Sequence, residues 1–393
     1  MTAGERVIVA GAGPVGLTAA LVLADAGIPV TVLEKRSALS GASKASTFHP
    51  PTLAILHHLG LLDGVLHRGQ VVRELQYRTA TDGIFARFSM AALRDETAFP
   101  FRLHLEQAQL TPLILDRLGA HQHVQVLFNA ELVDVEQAHG KVTAHVRRGA
   151  AIDKLTGAYL LGADGARSDV RKVLGIPFDG AEYPDKVLRV MTGDDLGVLL
   201  PGIAPVTYLF NQVRSVSFLR MADCWRIILR VPKQVDEATA LNADWILAHL
   251  QETIPHCEQL PGVMMKDVYS VARRVAHRYR VGRIMLMGDS AHITNTRGGM
   301  NMNCGLHDAF AVALAIVDAL HGQSPEIVEH AVDERRRIAT EMLIPRTDRN
   351  VAGGQAWLDQ VKAIAADPDR TVAYLRTAAM LDMALAPTPA QTA

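Results

Sequence analysis

Cysteine is almost missing from this chain of 393 residues. The three present, Cys224, Cys257 and Cys304, share no CxxC spacing, so neither a disulfide framework nor a thiolate metal centre is expected. Charge of one sign is lacking too. Forty Lys and Arg stand against 41 Asp and Glu, a formal net charge of −1 that offers nucleic acid no electrostatic footing. No apolar stretch runs uninterrupted for the roughly 20 residues that span a bilayer, and a strand-like run already begins at Val7, leaving no room for a signal peptide. These absences predict a cytoplasmic protein without stable membrane association. His57, His58 and His67 lack metal-ligand spacing, and Ser168 and Ser290 lack a nucleophile elbow, so neither a metal centre nor serine hydrolysis is indicated.

What the chain does have is glycine in three telling places. GAGPVG at Gly11–Gly16 follows the apolar run Val7–Ala10 and opens a helical pattern from Leu17 through Leu23, which reads as strand, turn and helix. Gly11 permits the tight turn, Gly13 lets the backbone approach a pyrophosphate, and Gly16 allows helix to pack on strand, with the helix N-terminus facing phosphate charge. A second strand, Val30–Leu33, ends in Glu34, suited to accept hydrogen bonds from adenosine ribose hydroxyls. Lys35 and Arg36 follow and would suit a ribose phosphate, so this unit alone leaves NAD, NADP and FAD open.

Two later segments turn the choice toward FAD. Within Ala158–Asp164 a short strand delivers Asp164 into a turn before a helix near Ser168–Leu174, and Arg283–Met287 reads as a strand ending at Gly288 and Asp289. An acid at such a strand end can accept from ribityl hydroxyls, which a nicotinamide dinucleotide lacks. The glycine loop Arg297–Gly299 and the run Asn301–Gly305 then open an amphipathic helix through Leu320, whose first amides would favour negative charge on a reduced flavin. His292 reads as a structural residue near the cofactor.

In this order and at these separations the segments resemble the class A FAD-dependent aromatic hydroxylases, of the para-hydroxybenzoate hydroxylase type, from Arg6 to about Asn350. The resemblance implies an α/β fold: a Rossmann-like FAD-binding lobe of the glutathione reductase type, an inserted β-sheet substrate lobe and C-terminal helices. It implies that Gly11, Gly13, Pro14, Gly16 and Glu34, with Lys35 and Arg36 beside them, hold the ADP half. Asp164 would lie near the pyrophosphate and the NADH or NADPH path, Asp289 on the ribityl chain, and Gln107 and Leu132 beside the cofactor. Arg226 would near the flavin, as would the loop at Gly298 and Gly299 and the backbone of Met302 and Asn303. Lys44 stands where the family usually has Arg, giving charge without a bidentate fork. Thr296 and Asn301 replace a family proline and glycine; that proline's carbonyl lies near the reacting substrate carbon, so the departure bears on substrate more than on cofactor.

The implied reaction is hydroxylation of an electron-rich aromatic or heteroaromatic small molecule, with an aromatic acid the expected substrate. NADH or NADPH reduces FAD transiently, for there is no second dinucleotide fingerprint, and dioxygen is the co-substrate through a hydroperoxide at flavin carbon 4a. Matching back from the RVP run places Arg220 at the family's carboxylate-binding arginine, an exposed sheet arginine being the alternative. Tyr208, Phe210, Trp225 and Thr296 join it as pocket candidates; strand alternation puts 208 and 210 on one face without saying which. An FAD oxidoreductase of the same fold without oxygen insertion, and a non-catalytic flavin redox sensor, are the alternatives. Dimerisation is common in the family, and no residue here demonstrates it.

The expected division is an FAD-binding domain from residues 1–70, 103–175 and 276–345, a substrate domain from 71–102 and 176–275, and C-terminal helices with a disordered tail, APTPAQTA, over 346–393. QYRT, FARFSM and FPFRLHL read as strands of one small sheet, and VTYLFN, RSVSFLRM and CWRIILRVP as three more. Pro325–Met342 reads as a charged helix in which DERRR at Asp333–Arg337 is a solvated face.

Overall fold

The computed structural model describes residues 6–42, 45–211, 215–254, 257–259, 261–351 and 355–384; Lys44 and the APTPAQTA tail lie outside them. Five apolar runs form a parallel sheet. Val7–Ala10 is central, flanked by Val30–Glu34 and then Val124–Phe128 on one side, and by Tyr159–Gly162 and then Ile284–Leu286 on the other. Arg280–Val281 closes one edge antiparallel. The central strand is buried along its whole length, as a parallel strand covered on both faces must be. The helices Pro14–Asp25 and Asn301–Leu320 pack against each other beside it. By length and composition Asn301–Leu320 could cross a membrane, but 72% of its apolar window is buried inside the protein, which makes it a core helix. Counting uninterrupted apolar runs passes over it because Asn303, His307 and Asp308 punctuate the sequence.

The second lobe is a seven-stranded sheet. Its order is Val263–Tyr269, Lys186–Thr192, Trp225–Val231, Ser215–Arg220, Val206–Phe210, Glu74–Thr79 and Gly83–Ser89; the Val206–Phe210 and Glu74–Thr79 pair is parallel and the others are antiparallel. The strands expected at QYRT and FARFSM therefore join the later three. Arg102–His104, within the third expected strand, does not: a 3-10 turn at Met90–Leu93 redirects the chain, and this strand pairs with Thr47–Phe48 and Gln70–Val72 in a small sheet of its own.

Strand alternation gives the large sheet two different faces. On one, Leu209, Val216, Phe218, Ile227 and Leu229 pack with Ile246 and Leu250 of the helix Ala243–Gln251. On the other, Leu75, Tyr77, Val206, Tyr208 and Phe210 lie with Val361 and Leu375 of two C-terminal helices, Gln355–Ala365 and Pro368–Ala378.

Two features depart from the sequence reading. An antiparallel meander, Glu131–Ala138, Lys141–Arg148 and Ala151–Gly157, is not anticipated; Val142, Ala144 and Val146 alternate into the core, and Gly140 and Gly149 turn between the strands. The charged helix, Glu326–Arg337, runs on through a π-helical stretch, Ile338–Leu343, into Ile344–Val351. DERRR is not wholly a solvated face. Arg337 is exposed and pairs with Glu334 and Glu341, but Arg335 continues the inward stripe of Val328 and Val332 and is 1% exposed.

Candidate flavin groove and substrate cavity

The first glycine turn delivers the helix Pro14–Asp25 with Gly13 as its N-cap and no side-chain cap, so the first-turn amides face outward. A Cβ at Gly16 would stand 2.0 Å from the Gly11 carbonyl oxygen, which fixes glycine there. At Gly13 a Cβ would meet nothing within 4 Å: the backbone is bare toward the groove. The Glu34 carboxylate accepts from the amides of Ala12 (3.1 Å) and Arg36 (3.0 Å), holding the turn against the second strand. Glu34, Lys35, Arg36, Gln107, Leu132, Asp164, Asp289 and Met302 line one groove together with Gly11, Gly13 and Pro14.

Asp164 offers a test of what the groove holds. Its Oδ2 accepts from the amides of Asp169 (2.7 Å) and Val170 (3.1 Å), while its buried Oδ1 has no partner. Burial pushes this carboxyl up despite those bonds. A buried acceptor left unmatched on a groove wall, beside bare helix amides, fits a ligand carrying both hydroxyl donors and phosphates.

Asp289 sits on a 3-10 turn, Gly288–Ser290, and its Oδ1 accepts from Asn301 Nδ2 at 2.8 Å. Thus Asn301, where glycine was expected, braces the aspartate. The Asn301 oxygen faces His292 Nδ1 at 3.3 Å; His292 Nε2 meets Asp308 Oδ2 at 2.7 Å, and Arg335 Nε donates to Asp308 Oδ1 at 2.7 Å. Gly288 N also donates to Asp308, so the cluster reaches the turn through backbone and side chain. Burial alone would lower the His292 pKa and raise that of Asp308. Their mutual attraction reverses both, aided by Cys304 at His292 and by Arg335 at Asp308: His292 is held well above its ordinary value and Asp308 well below. His292, Cys304 and Asp308 converge as metal ligands could, but Arg335 donates to both Asp308 and Cys304, so a guanidinium already supplies the cation.

The Asn303 side chain is consumed in positioning. It donates to the carbonyls of Thr47 (2.7 Å) and Gly299 (2.6 Å) and accepts from His49 N and Thr52 Oγ1, leaving only its backbone for a ligand. Gly299 has φ +65°, and a Cβ there would approach Thr47 Cβ to 2.7 Å. Arg226 is buried between Ser46 (2.8 Å) and Glu106.

A second cavity opens between the large sheet, the glycine loop and the C-terminal helices. Tyr77, Tyr208, Phe210, Trp357 and Tyr374 give it aromatic walls, and Arg102, Arg297, Gly298 and Arg346 also line it. Trp357 packs on Phe210 and Tyr77 at centroid distances of 5.0 and 5.6 Å. The Tyr77 and Tyr374 hydroxyls bond at 2.5 Å, and burial raises both pKa values, so each stays protonated. Arg346 is paired with Asp382 at 2.5 Å, whereas Arg102 donates to the Ala378 carbonyl (2.9 Å). Arg297 lies 5.8 and 5.6 Å from the Tyr208 and Phe210 rings and donates to Asn350 O (3.0 Å) and Ser215 Oγ (2.7 Å), with no carboxylate within ion-pair reach among the described residues.

Residues 5–344 match the family described as FAD binding domain. The chain is 30% identical to 6-hydroxy-3-succinoylpyridine 3-monooxygenase HspB of Pseudomonas putida (strain DSM 28022 / S16), over 96% of this chain and 98% of that protein. It is 29% identical to para-nitrophenol 4-monooxygenase of Pseudomonas sp. (strain WBC-3), over 88% and 86%. Its fold is similar to that of p-nitrophenol 4-monooxygenase PnpA from Pseudomonas putida DLL-E4, with TM-score 0.87, 26% identity and 97% of each chain covered. The chain belongs to the FAD-dependent aromatic monooxygenases.

In this monooxygenase the sequence-derived cofactor residues divide by place. Those lining the groove have been named; Gly16 and Asn303 are packed away from its lining, Gly298 lines the second cavity, Gly299 packs against Thr47, and Arg226 is tied to Ser46 and Glu106. Tyr208 and Phe210 line that cavity, which settles their face. Arg220 and Trp225 do not: Arg220 follows Val216 and Phe218 onto the opposite face, its guanidinium 5.6 Å from the Trp225 ring. Thr296 is exposed, and its carbonyl accepts from Gly299 N at 3.2 Å in the loop turn. Sequence reasoning passed over Arg297, Tyr77, Trp357 and Tyr374. Only Arg297, set against a glycine pair in the presumed flavin loop, carried a local signal.

Proposed function

We propose that this monooxygenase hydroxylates an electron-rich aromatic or heteroaromatic acid, using NADH or NADPH and dioxygen. The observation that carries this reading is Arg297: a half-buried guanidinium lining an aromatic cavity, with no carboxylate in ion-pair reach among the described residues. Burial lowers its pKa, and an anionic ligand there would restore the stability of its charge. Two of the relatives' names fit a ring with a polar or acidic substituent, 6-hydroxy-3-succinoylpyridine and para-nitrophenol. Arg297, rather than Arg220, is therefore the residue proposed to hold the carboxylate.

The net change is ring C–H plus O2, NAD(P)H and a proton giving ring C–OH, water and NAD(P)+. FAD, when bound, supplies hydride acceptance and oxygen activation. The chain's own part is positional. Gly11–Gly16, Glu34, Asp164 and Asp289 would hold the cofactor; the five aromatic side chains exclude water and stack the substrate ring; Tyr77 and Tyr374 present protonated hydroxyls. The test is NAD(P)H oxidation in air across hydroxylated and amino aromatic acids and their neutral amides, with products weighed by mass spectrometry. Acids gaining one oxygen, turned over better than their amides, are expected. Equal turnover of acids and amides would sink the acid reading.

A further inference from the structure

On the cavity side of the large sheet, most charged groups are matched. Arg226 meets Glu106, and Arg189 meets Asp267 at 2.8 Å. The half-buried Arg230 side chain has neither a hydrogen bond nor an ion pair among the described residues. Its direction follows from its strand. Ile227, Leu229 and Val231 enter the core beneath the helix Ala243–Gln251, so Arg226, Ile228 and Arg230 point to the other side.

The register locates it further. The register between these strands ends with Ser217 opposite Ile228; carried two residues further it would set Ser215 opposite Arg230, and Ser215 itself pairs with Phe210. Ser215 is the residue whose Oγ accepts from Arg297 at 2.7 Å. Arg230 and Arg297 thus flank one serine, one strand spacing of about 4.8 Å separating their supports. Burial pulls the Arg230 guanidinium down to about 10, and the Arg297 charge adds to the effect. Asp185 acts on Arg230 from beyond ion-pair reach, so two neighbouring, half-buried cations lack a bonded anion, a cost that an incoming anion removes.

We propose that Arg230 and Arg297 form a two-cation subsite for a carboxylate carried on a side chain of the substrate rather than on its ring. Phe210 and Arg297 are among the walls of the ring cage, and Arg230 is not. A carboxylate that engages both guanidinium groups must reach one strand past the cage, which a group attached directly to the ring cannot do. This inference rests on the acidic-substrate reading and narrows it to aromatic acids with a flexible acidic chain.

The experiment is calorimetric titration of the FAD-loaded enzyme with 3-(4-hydroxyphenyl)propionate, its amide, and 4-hydroxybenzoate. Wild type should bind the propionate about tenfold or more tighter than the amide, as expected for charge-assisted bonds. Arg230→Gln should weaken the propionate about fivefold or more while moving the amide and 4-hydroxybenzoate less than about twofold, and Arg230→Lys should recover part of the loss. FAD content and melting temperature equal to wild type exclude a folding defect, and the Lys variant provides a second reading if the Gln variant folds poorly. Propionate binding unchanged by Arg230→Gln, or 4-hydroxybenzoate weakened to the same degree, overturns the subsite. If the preference for acid over amide survives Arg230→Gln but vanishes in Arg297→Gln, the two-cation subsite falls while the acidic-substrate reading stands. Equal binding of acid and amide by wild type overturns both.

Discussion

Arg335 and Arg297 stand in two contrasting settings, the first fully buried and the second half-buried. Arg335 lies beneath the flavin-side turn, bonded to Asp308, to the carbonyls of Met383 and Cys304, and to the Cys304 sulfur. Burial disfavours its charge, yet Cys304 and Asp308 more than compensate, and its pKa is raised. Arg297 lies in the aromatic cavity with a serine hydroxyl and a backbone carbonyl for partners, and burial leaves its pKa lowered. The same side chain is an internal tie in one region and an open valence in the other. Arg335 is the more deeply buried of the two, yet it is the one whose charge is favoured, because its partners include an acid.

The widest separation between the two regions should appear in stability. Asp308→Asn leaves Arg335 and His292 as buried charges without their anion, and should cost about 3–5 kcal/mol in denaturant unfolding. Arg297→Met removes a charge that the unliganded protein does not match, and should change stability by less than about 1 kcal/mol. A cheap Asp308→Asn, or an Arg297→Met as costly as it, would break the comparison.

In catalysis the order reverses. Arg297→Met should raise KM for an acidic aromatic substrate roughly ten- to a hundredfold, the worth of a charged hydrogen bond, while the neutral analogue's KM and the FAD content hold steady. A KM that rises equally for both analogues would return Arg297 to the architecture.

Acidity sharpens the contrast further. Asp308 is depressed from 3.8, so its contribution is present above that value and is lost as pH falls; His292 is raised from 6.5, so its contribution is present below that value and is lost as pH rises through its elevated pKa. The stability difference between wild type and Asp308→Asn should therefore be largest between those two reference values and shrink on either side. A flat difference across the titration would mean that the cluster is not ionised as described. The smallest effect is expected at the bridge between the cluster and the groove: Asn301→Gly deletes the bonds to Asp289 and His292 and should weaken FAD retention by about 0.5–1.5 kcal/mol, read from the FAD dissociation constant.

How far the sequence speaks depends on how local the determinant is. Gly11, Glu34, Asp164 and Asp289 were legible because each stands at a strand end, where backbone geometry within a few residues decides what the side chain faces. The cavity was legible only at Tyr208 and Phe210, because the rest is made by pairings such as Tyr77 with Tyr208, which join distant stretches and depend on strand parity. Parity is also why Arg220 turned away while Arg230, ten positions on but past a turn, faces inward. Arg335 was misread for another reason. A charge run on a helix looks solvated until the acid it meets, Asp308 on another helix, is known.

The cavity's helical wall has one more consequence. Trp357, Tyr374, Thr377 and Ala378 lie past residue 344, where the match to the FAD-binding family ends. The stretch shared with the family carries the groove proposed for the redox cofactor, while part of the boundary that a substrate ring would touch is written in a separate, later stretch of chain. Under mutation the two can drift independently: the C-terminal helices can be reshaped toward a new ring without disturbing the glycine turns and aspartates of the groove.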